Sequence, residues 1–131
     1  MKARELTTQA TVLIIDDNSD LLNLCRTLLE MNDYKVLTAH GAKEAFSVLD
    51  VNKPDLILLD LRMEELSGPE FLMQLENNRP EIIESVPVVF LTAMAEVPTS
   101  KAVGFIKKPF KASEFLLSVR RFVERHRNAS T

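Results

Sequence analysis

The amino-acid sequence predicts an α/β fold in which helices cover both faces of a parallel β-sheet, a doubly wound arrangement. Short apolar runs alternate with amphipathic helical patterns along the chain, as expected for strands joined by helices. The runs at residues 12–16, 55–60 and 88–93 are apolar at successive positions, so both of their faces are expected to be buried. The 131 residues, 46% of them apolar, contain no internal repeat and fit one domain with its own core.

The first half of the chain contains three predicted strands, at residues 12–16, 34–39 and 55–60. Two helices are predicted between them, because apolar residues recur there at helical spacing. The first apolar stripe is Leu21, Leu24, Cys25 and Leu28, and the second is Ala42, Ala45, Phe46 and Leu49. Asn18 and Ser19 are placed to cap the first of these helices.

The second half contains two more predicted strands, at residues 88–93 and 105–106. A third helix is predicted after Gly68 and Pro69, with Phe71, Leu72 and Leu75 facing the core. The last helix has an apolar stripe made of Phe115, Leu116, Val119, Phe122 and Val123.

The connection between the fourth and fifth strands, residues 93–104, is unusually short. Twelve residues are near the minimum for a parallel crossover that contains a helix. Pro98 also disfavours helical geometry at Val97, so any helix is expected to begin at Pro98 and to end at Gly104. A helix in this connection is therefore predicted to be shortened or missing.

Polar side chains stand where the predicted strands end: Asp16 and Asp17, Asp60, Thr92 and Lys108. The carboxyl ends of parallel strands meet at one edge of the sheet, where sites of doubly wound folds lie. Three carboxylates at close range repel each other unless a cation shares the site, and oxygen ligands of this kind suit Mg²⁺. An ammonium and a hydroxyl would suit phosphoryl oxygens, and a carboxylate beside them is a plausible nucleophile.

Four segments, IIDDN (14–18), LILLDLRM (56–63), FLTA (90–93) and FIKKPF (105–110), resemble the receiver domains of two-component response regulators, chemotaxis receivers among them. The likeness covers residues 11–127, with 1–10 as a polar lead-in and 128–131 as a tail. It implies a flavodoxin-like fold with strand order 2-1-3-4-5, from which the family's fourth helix would be shortened or missing.

The resemblance implies that Asp60 accepts a phosphoryl group from a phosphohistidine, on a sensor histidine kinase or a histidine phosphotransfer protein. Asp17, Asp60 and the backbone carbonyl of Arg62 would bind Mg²⁺ directly, and Asp16 would act mainly through a water. Thr92 would donate a hydrogen bond to a phosphoryl oxygen, and Lys108 would pair with the phosphate.

The resemblance also assigns Phe105 as the switch aromatic and makes the Lys108–Pro109 peptide bond cis. One position differs from the family pattern, and two others are positions that vary within the family. Glu64 stands where relatives usually have proline, and Arg62 and Met94 occupy positions that influence the lifetime of the phosphate. Because the fourth helix is short, output is expected through a different surface, or through phosphoryl relay itself.

Each of these residues has an ordinary structural explanation when taken alone. Asp16 or Asp17 could cap a helix, Thr92 could be a strand residue, Lys108 a solvated side chain and Phe105 a core residue. The constellation favours a signalling switch that catalyses only its own phosphorylation and dephosphorylation. Two alternatives remain open: a pseudo-receiver that binds proteins without phosphorylation, and a Mg²⁺-dependent phosphohydrolase, which Arg62 disfavours because dehalogenase-type enzymes have an acid there.

Composition limits the partners and the location. A net charge of −3 gives no general reason to expect nucleic acid as a partner, and no apolar run is long enough for a membrane span. The single cysteine, Cys25, is interpreted as a core thiol in a cytoplasmic protein. The sequence does not identify the downstream partner, and it leaves open whether the chain forms a weak homodimer. The arginines of the last helix are interpreted as a solvated face of that helix.

Overall fold

The computed structural model describes residues 9–93 and 100–129, which form a five-stranded sheet and the helices that join its strands. The strands are β1 (Thr11–Ile15), β2 (Lys35–Ala39), β3 (Leu56–Asp60), β4 (Val88–Thr92) and β5 (Gly104–Lys107). The helices are α1 (Ser19–Glu30), α2 (Ala42–Val51), α3 (Gly68–Asn78), α4 (Pro80–Ser85) and α5 (Ala112–Ala129).

All neighbouring strands are parallel, and their order is β2-β1-β3-β4-β5, so the predicted fold class and strand order are confirmed. The register pairs Ile15 with Leu59, Asp60 with Leu91 and Thr92 with Lys107. The last residues of β1, β3, β4 and β5 therefore lie at one edge of the sheet.

The core consists of two clusters, one on each face of the sheet, because alternate residues of a strand point to opposite faces. Leu13, Ile57 and Phe90 belong to the cluster covered by α2 and α3. Ile14, Leu58 and Leu91 belong to the cluster covered by α1 and α5. Every residue of β3 and β4 is buried, as expected for strands that are apolar on both faces.

Helix α1 begins as predicted, and its buried face overlaps the predicted stripe. Asn18 is its N-cap, and the Asn18 side chain accepts a hydrogen bond from the Leu21 N–H at 3.1 Å. The buried residues are Leu22, Cys25 and Leu29, whereas Leu24 is 50% exposed. Leu21 and Leu28 of the predicted stripe are partly buried and pack against the same cluster, so the prediction was wrong for Leu24. Leucines stand at adjacent positions here, and only packing against the sheet decides which of them are fully buried.

Two helices connect β3 to β4, of which only the first was predicted. Helix α3 begins at Gly68 with a capping box, in which Ser67 and Glu70 each accept a hydrogen bond from the other's backbone N–H. Helix α4 begins at Pro80, whose missing N–H costs nothing in the first turn. It buries Ile82 but is only six residues long, too short for a clear periodic pattern.

The short connection from β4 to β5 runs from residue 93 to residue 103. Its described residues, 93 and 100–103, are not helical. The remainder of the region in which a shortened helix was predicted, residues 94–99 with Met94 and Pro98, lies outside the described residues. The Lys108–Pro109 bond after β5 is cis, as the resemblance implied.

None of the helices within residues 9–93 and 100–129 combines the length and apolar character needed to cross a membrane.

Candidate functional site

The predicted polar residues meet at the carboxyl edge of the sheet. Asp16 and Asp17 directly follow β1, Asp60 is the last residue of β3, Thr92 is the last residue of β4, and Lys108 directly follows β5. Asp16, Asp60 and Thr92 are the buried polar residues of the described chain. Parallel pairing places them together because β1, β3, β4 and β5 are consecutive neighbours in the sheet.

The ammonium of Lys108 links the two buried acids. Its Nζ lies 3.0 Å from Asp16 Oδ2 and 3.2 Å from Asp60 Oδ1, across sequence separations of 92 and 48 residues. Burial acts to lower the pKa of Lys108, but the hydrogen bonds and charges of Asp16 and Asp60 outweigh it and raise that pKa. Lys108 is therefore held as a cation between the carboxylates, and its interpretation as a merely solvated side chain is wrong.

Asp60 is 7% exposed. Burial, followed by repulsion from Asp16, raises the pKa of the Asp60 carboxyl group, although Lys108 and the Arg62 N–H act in the opposite direction. The Arg62 N–H donates to Asp60 Oδ1 at 3.3 Å. Asp60 is thus a carboxylate whose charge is only partly compensated by the residues around it.

Asp16 and Asp17 are held by backbone donors as well. The Asn18 N–H donates to Asp16 Oδ1 at 2.9 Å, and the Glu64 N–H donates to Asp17 Oδ2 at 2.9 Å. Asp16 is buried whereas Asp17 is exposed. Asp17 does not cap α1, because the side chain of Asn18 does so.

The three carboxylates form a cluster that suits a hard divalent cation. One oxygen from each of Asp16, Asp17 and Asp60 lies within 4.8 Å of the other two. Three carboxylates against the one ammonium of Lys108 leave a local charge of −2, and oxygen-only ligands match the preference of Mg²⁺. The donor set therefore fits the predicted metal.

Thr92 and Phe105 differ in exposure. Thr92 is 2% exposed, and its carbonyl oxygen accepts the Lys108 N–H at 2.7 Å, which fixes the start of the segment that holds Lys108. Phe105, on the edge strand β5, is 49% exposed, so its ordinary interpretation as a core residue is wrong. The Arg62 side chain is also exposed beside the site.

Two clefts, of about 550 and 590 Å³, lie at the opposite end of the sheet. They are lined by the residues that precede β3 and β4, Lys53, Pro54 and Val86 among them. The three-carboxylate cluster is not part of either cleft, so the candidate chemistry stays at the carboxyl edge.

Residues 12–120 match the family model of the response regulator receiver domain. The chain belongs to the response regulator receiver domain family. This receiver domain is 32% identical over 120 residues to the response regulator SaeR of Staphylococcus aureus, a match that covers 87% of this chain and 50% of SaeR. The receiver domain thus spans about half the length of the curated relatives it matches.

Solved structures show the same fold. The chemotaxis response regulator CheY4 of Vibrio cholerae superposes on this receiver domain with a TM-score of 0.79 at 25% identity, covering 88% of this chain and 99% of CheY4. The receiver domain of NtrX from Brucella abortus gives a TM-score of 0.74 at 28% identity, covering 86% and 98% of the two chains.

Sequence reasoning missed several groups around the site of this receiver domain. The backbone donors of Asn18 and Glu64 were missed because a hydrogen bond from the main chain leaves no residue-type signal. Gly68 was noted only as a helix start, yet a Cβ atom there would lie 2.5 Å from the Asp60 carbonyl oxygen.

Proposed function

We propose that this receiver domain is a phosphorylation-dependent switch in which Asp60 accepts a phosphoryl group in a Mg²⁺-dependent reaction. One observation carries the proposal: the Lys108 ammonium contacts both Asp16 and Asp60, and Asp17 completes a three-carboxylate cluster around the Asp60 side chain. Family membership supports it independently, since receiver domains act in two-component signalling.

Asp60 is the nucleophile of the proposed reaction. One of its carboxylate oxygens forms a bond to phosphorus, the bond between phosphorus and the donor breaks, and the donor leaves with the electron pair. Lys108, 3.2 Å from Asp60 Oδ1, then neutralises a phosphoryl oxygen, and the Thr92 hydroxyl donates a hydrogen bond to another. Positioning and charge neutralisation are the main contributions in reactions of this type.

In the proposal, Mg²⁺ is held by Asp17, Asp60 and the backbone carbonyl of Arg62, with Asp16 acting through a water. When bound, the metal neutralises the charge that the phosphoryl group adds to an already anionic site. The protein contributes the geometry: Asp16 is held by Lys108 and the Asn18 N–H, and Asp17 by the Glu64 N–H.

The proposed phosphodonor is a phosphohistidine on a sensor histidine kinase or a histidine phosphotransfer protein in the cytoplasm. The domain would catalyse only its own phosphorylation and dephosphorylation. Phosphorylation would draw Thr92 toward the phosphoryl group and allow Phe105, now half exposed, to rotate inward, which shifts the population between two states. The downstream protein that reads this change is unassigned.

The test is incubation with acetyl phosphate and Mg²⁺, followed by intact-mass measurement. Wild type is expected to gain one phosphoryl group, and Asp60→Asn none. Asp50→Asn, which changes an exposed aspartate on α2 far from the carboxyl edge, serves as the matched control and should be phosphorylated like wild type. Chelation of Mg²⁺ should abolish the adduct.

Two results would contradict the proposal. The absence of an adduct with every small phosphodonor would favour a pseudo-receiver that binds proteins without phosphorylation. Sustained multiple turnover on small phosphate esters would favour a phosphohydrolase.

A further inference from the structure

The exposed carboxylate of Asp17 is joined to the loop after β3 by one backbone hydrogen bond. The Glu64 N–H donates to Asp17 Oδ2 at 2.9 Å, across 47 residues of sequence. Glu64 lies in the middle of residues 61–67, between the end of β3 and the start of α3. The bond therefore connects the β1 end of the site to the loop that follows Asp60.

The base of this loop is closed independently of Glu64. The Leu61 N–H donates to the Leu91 carbonyl oxygen at 3.1 Å, and the Gly68 N–H donates to the Leu61 carbonyl oxygen at 2.9 Å. Leu61 is buried, and Met63 and Leu66 are packed against the core. The loop is thus a fixed platform from which the Glu64 N–H is presented.

Asp17 needs such a donor more than the other two acids do. Asp16 and Asp60 are buried and both contact Lys108, so their carboxylates are held by packing and by charge. Asp17 is exposed, and an exposed side chain loses rotamer freedom when it binds a ligand. A hydrogen bond that orients it beforehand reduces that loss.

The hydrogen bond is compatible with metal binding. The three carboxylates lie within 4.8 Å of one another while the Glu64 N–H is bonded to Asp17, so this bond holds Asp17 in the converged arrangement. A carboxylate has two oxygens and can accept more than one partner. Donors that orient a metal ligand in this way commonly change metal affinity by 10–100-fold.

We propose that the backbone N–H of Glu64 is a positioning donor that orients Asp17 for Mg²⁺ and thereby sets the metal affinity of the site. The inference rests on the proposed function, in which Asp17 is a metal ligand. It assigns the effect to the main chain of residue 64 and not to the Glu64 carboxylate, which is exposed. Proline at this position would abolish the effect, because proline has no N–H to donate.

A matched pair of variants separates the two parts of residue 64. Glu64→Pro and Glu64→Ala both remove the side-chain carboxylate, but only proline removes the donor. Isothermal titration of the full chain with MgCl₂ should give a dissociation constant for Glu64→Pro about tenfold higher than for Glu64→Ala, the low end of the usual range because Asp17 is exposed. Glu64→Ala should stay within about twofold of wild type, because an exposed charge is screened.

Equal dissociation constants for the two variants would overturn the inference while leaving the proposed function intact, provided that wild type binds Mg²⁺ and is phosphorylated. Wild type that fails to bind Mg²⁺ would overturn both. The two failures are therefore distinguishable within one set of titrations.

A second measurement does not depend on how well the proline variant folds. In metal-free wild type, hydrogen exchange measured by NMR should show the Glu64 amide exchanging about tenfold more slowly than the neighbouring Glu65 amide. Asp17→Ala should remove that difference. A Glu64 amide that exchanges as fast in wild type as in Asp17→Ala would contradict the inference.

Discussion

Replacement of Gly68 by alanine tests how tightly the end of β3 is packed against the start of α3. A Cβ atom at residue 68 would lie 2.5 Å from the Asp60 carbonyl oxygen, 3.0 Å from Leu61 Cα and 3.0 Å from Phe90 Cε1. Two of these atoms belong to the backbone, so relief requires main-chain movement of roughly 1 Å, because ordinary contacts of this kind begin at about 3.4 Å.

Overpacking of this kind costs about 1–3 kcal/mol, and the conformational advantage of alanine over glycine returns about 0.5–1 kcal/mol. Gly68→Ala is therefore expected to lower the free energy of unfolding by about 1–2 kcal/mol. For a chain of this length, that loss corresponds to a fall in Tm of roughly 4–7 °C. Urea and thermal denaturation followed by circular dichroism measure both quantities.

Gly41→Ala is the matched control for this prediction. A Cβ atom at Gly41 would have no neighbour within 4 Å, and the φ angle of −175° is extended backbone that any residue adopts. Gly41 is the N-cap of α2, where glycine is preferred to alanine, so the free energy of unfolding should fall by no more than about 1 kcal/mol. If the two alanine variants have the same Tm, the close approach between β3 and α3 is not a real constraint and the reasoning is refuted.

Three further variants or probes test the charges at the site and the core beside it. Asp60→Asn should stabilise the metal-free protein at pH 7, because burial and then Asp16 raise the pKa of Asp60. The ionised form of Asp60 therefore lowers stability as pH rises through that pKa. Urea titrations should show this gain disappear in acid, below the unfolded-state pKa, and a gain independent of pH would contradict the sign. In the presence of chelator, Lys108→Ala should lower the free energy of unfolding by about 1–3 kcal/mol, because Asp16 loses its partner at 3.0 Å. Saturating MgCl₂ should recover part of that loss. No recovery would argue against a cation site shared by the carboxylates. Burial, and to a lesser extent the charge of Asp16, raises the pKa of the Cys25 thiol to about 12. The native thiol should therefore resist Ellman's reagent until urea unfolds the chain. Rapid labelling of the native protein would mean that the core beneath α1 is open to the reagent.

The sequence was sufficient for the strands and for most of the site because both leave residue-type signals. A run that is apolar on both faces and ends in Asp60 predicts a central parallel strand with a carboxylate at the sheet edge, and the structure confirms the strand, its burial and its neighbours. The convergence of Asp16, Asp60 and Lys108 followed from topology alone. The contact between Lys108 and Asp16 could not be predicted in this way, because it depends on how the side chains of two residues 92 positions apart are placed in space.

What the sequence missed has physical reasons as well. The buried face of α1 is wider than the predicted stripe because leucine occupies adjacent positions: Leu22 and Leu29 are fully buried, and Leu21 and Leu28 pack partly against the same cluster. Helix α4 is a single short segment that begins at a proline, so its periodicity was too brief to recognise. The hydrogen bond from Glu64 to Asp17 involves the main chain, for which the identity of residue 64 gives no indication unless it is proline.

Chemical trapping locates the residue that accepts the phosphoryl group, which is proposed to be Asp60. After phosphorylation with acetyl phosphate and Mg²⁺, borohydride reduction converts an aspartyl phosphate to homoserine, which peptide mass spectrometry locates in the sequence. Homoserine is expected at residue 60 and at neither residue 16 nor residue 17. Homoserine at residue 16 or 17, or no conversion in a protein whose intact mass shows the adduct, would mean that Asp60 is not the phosphoacceptor.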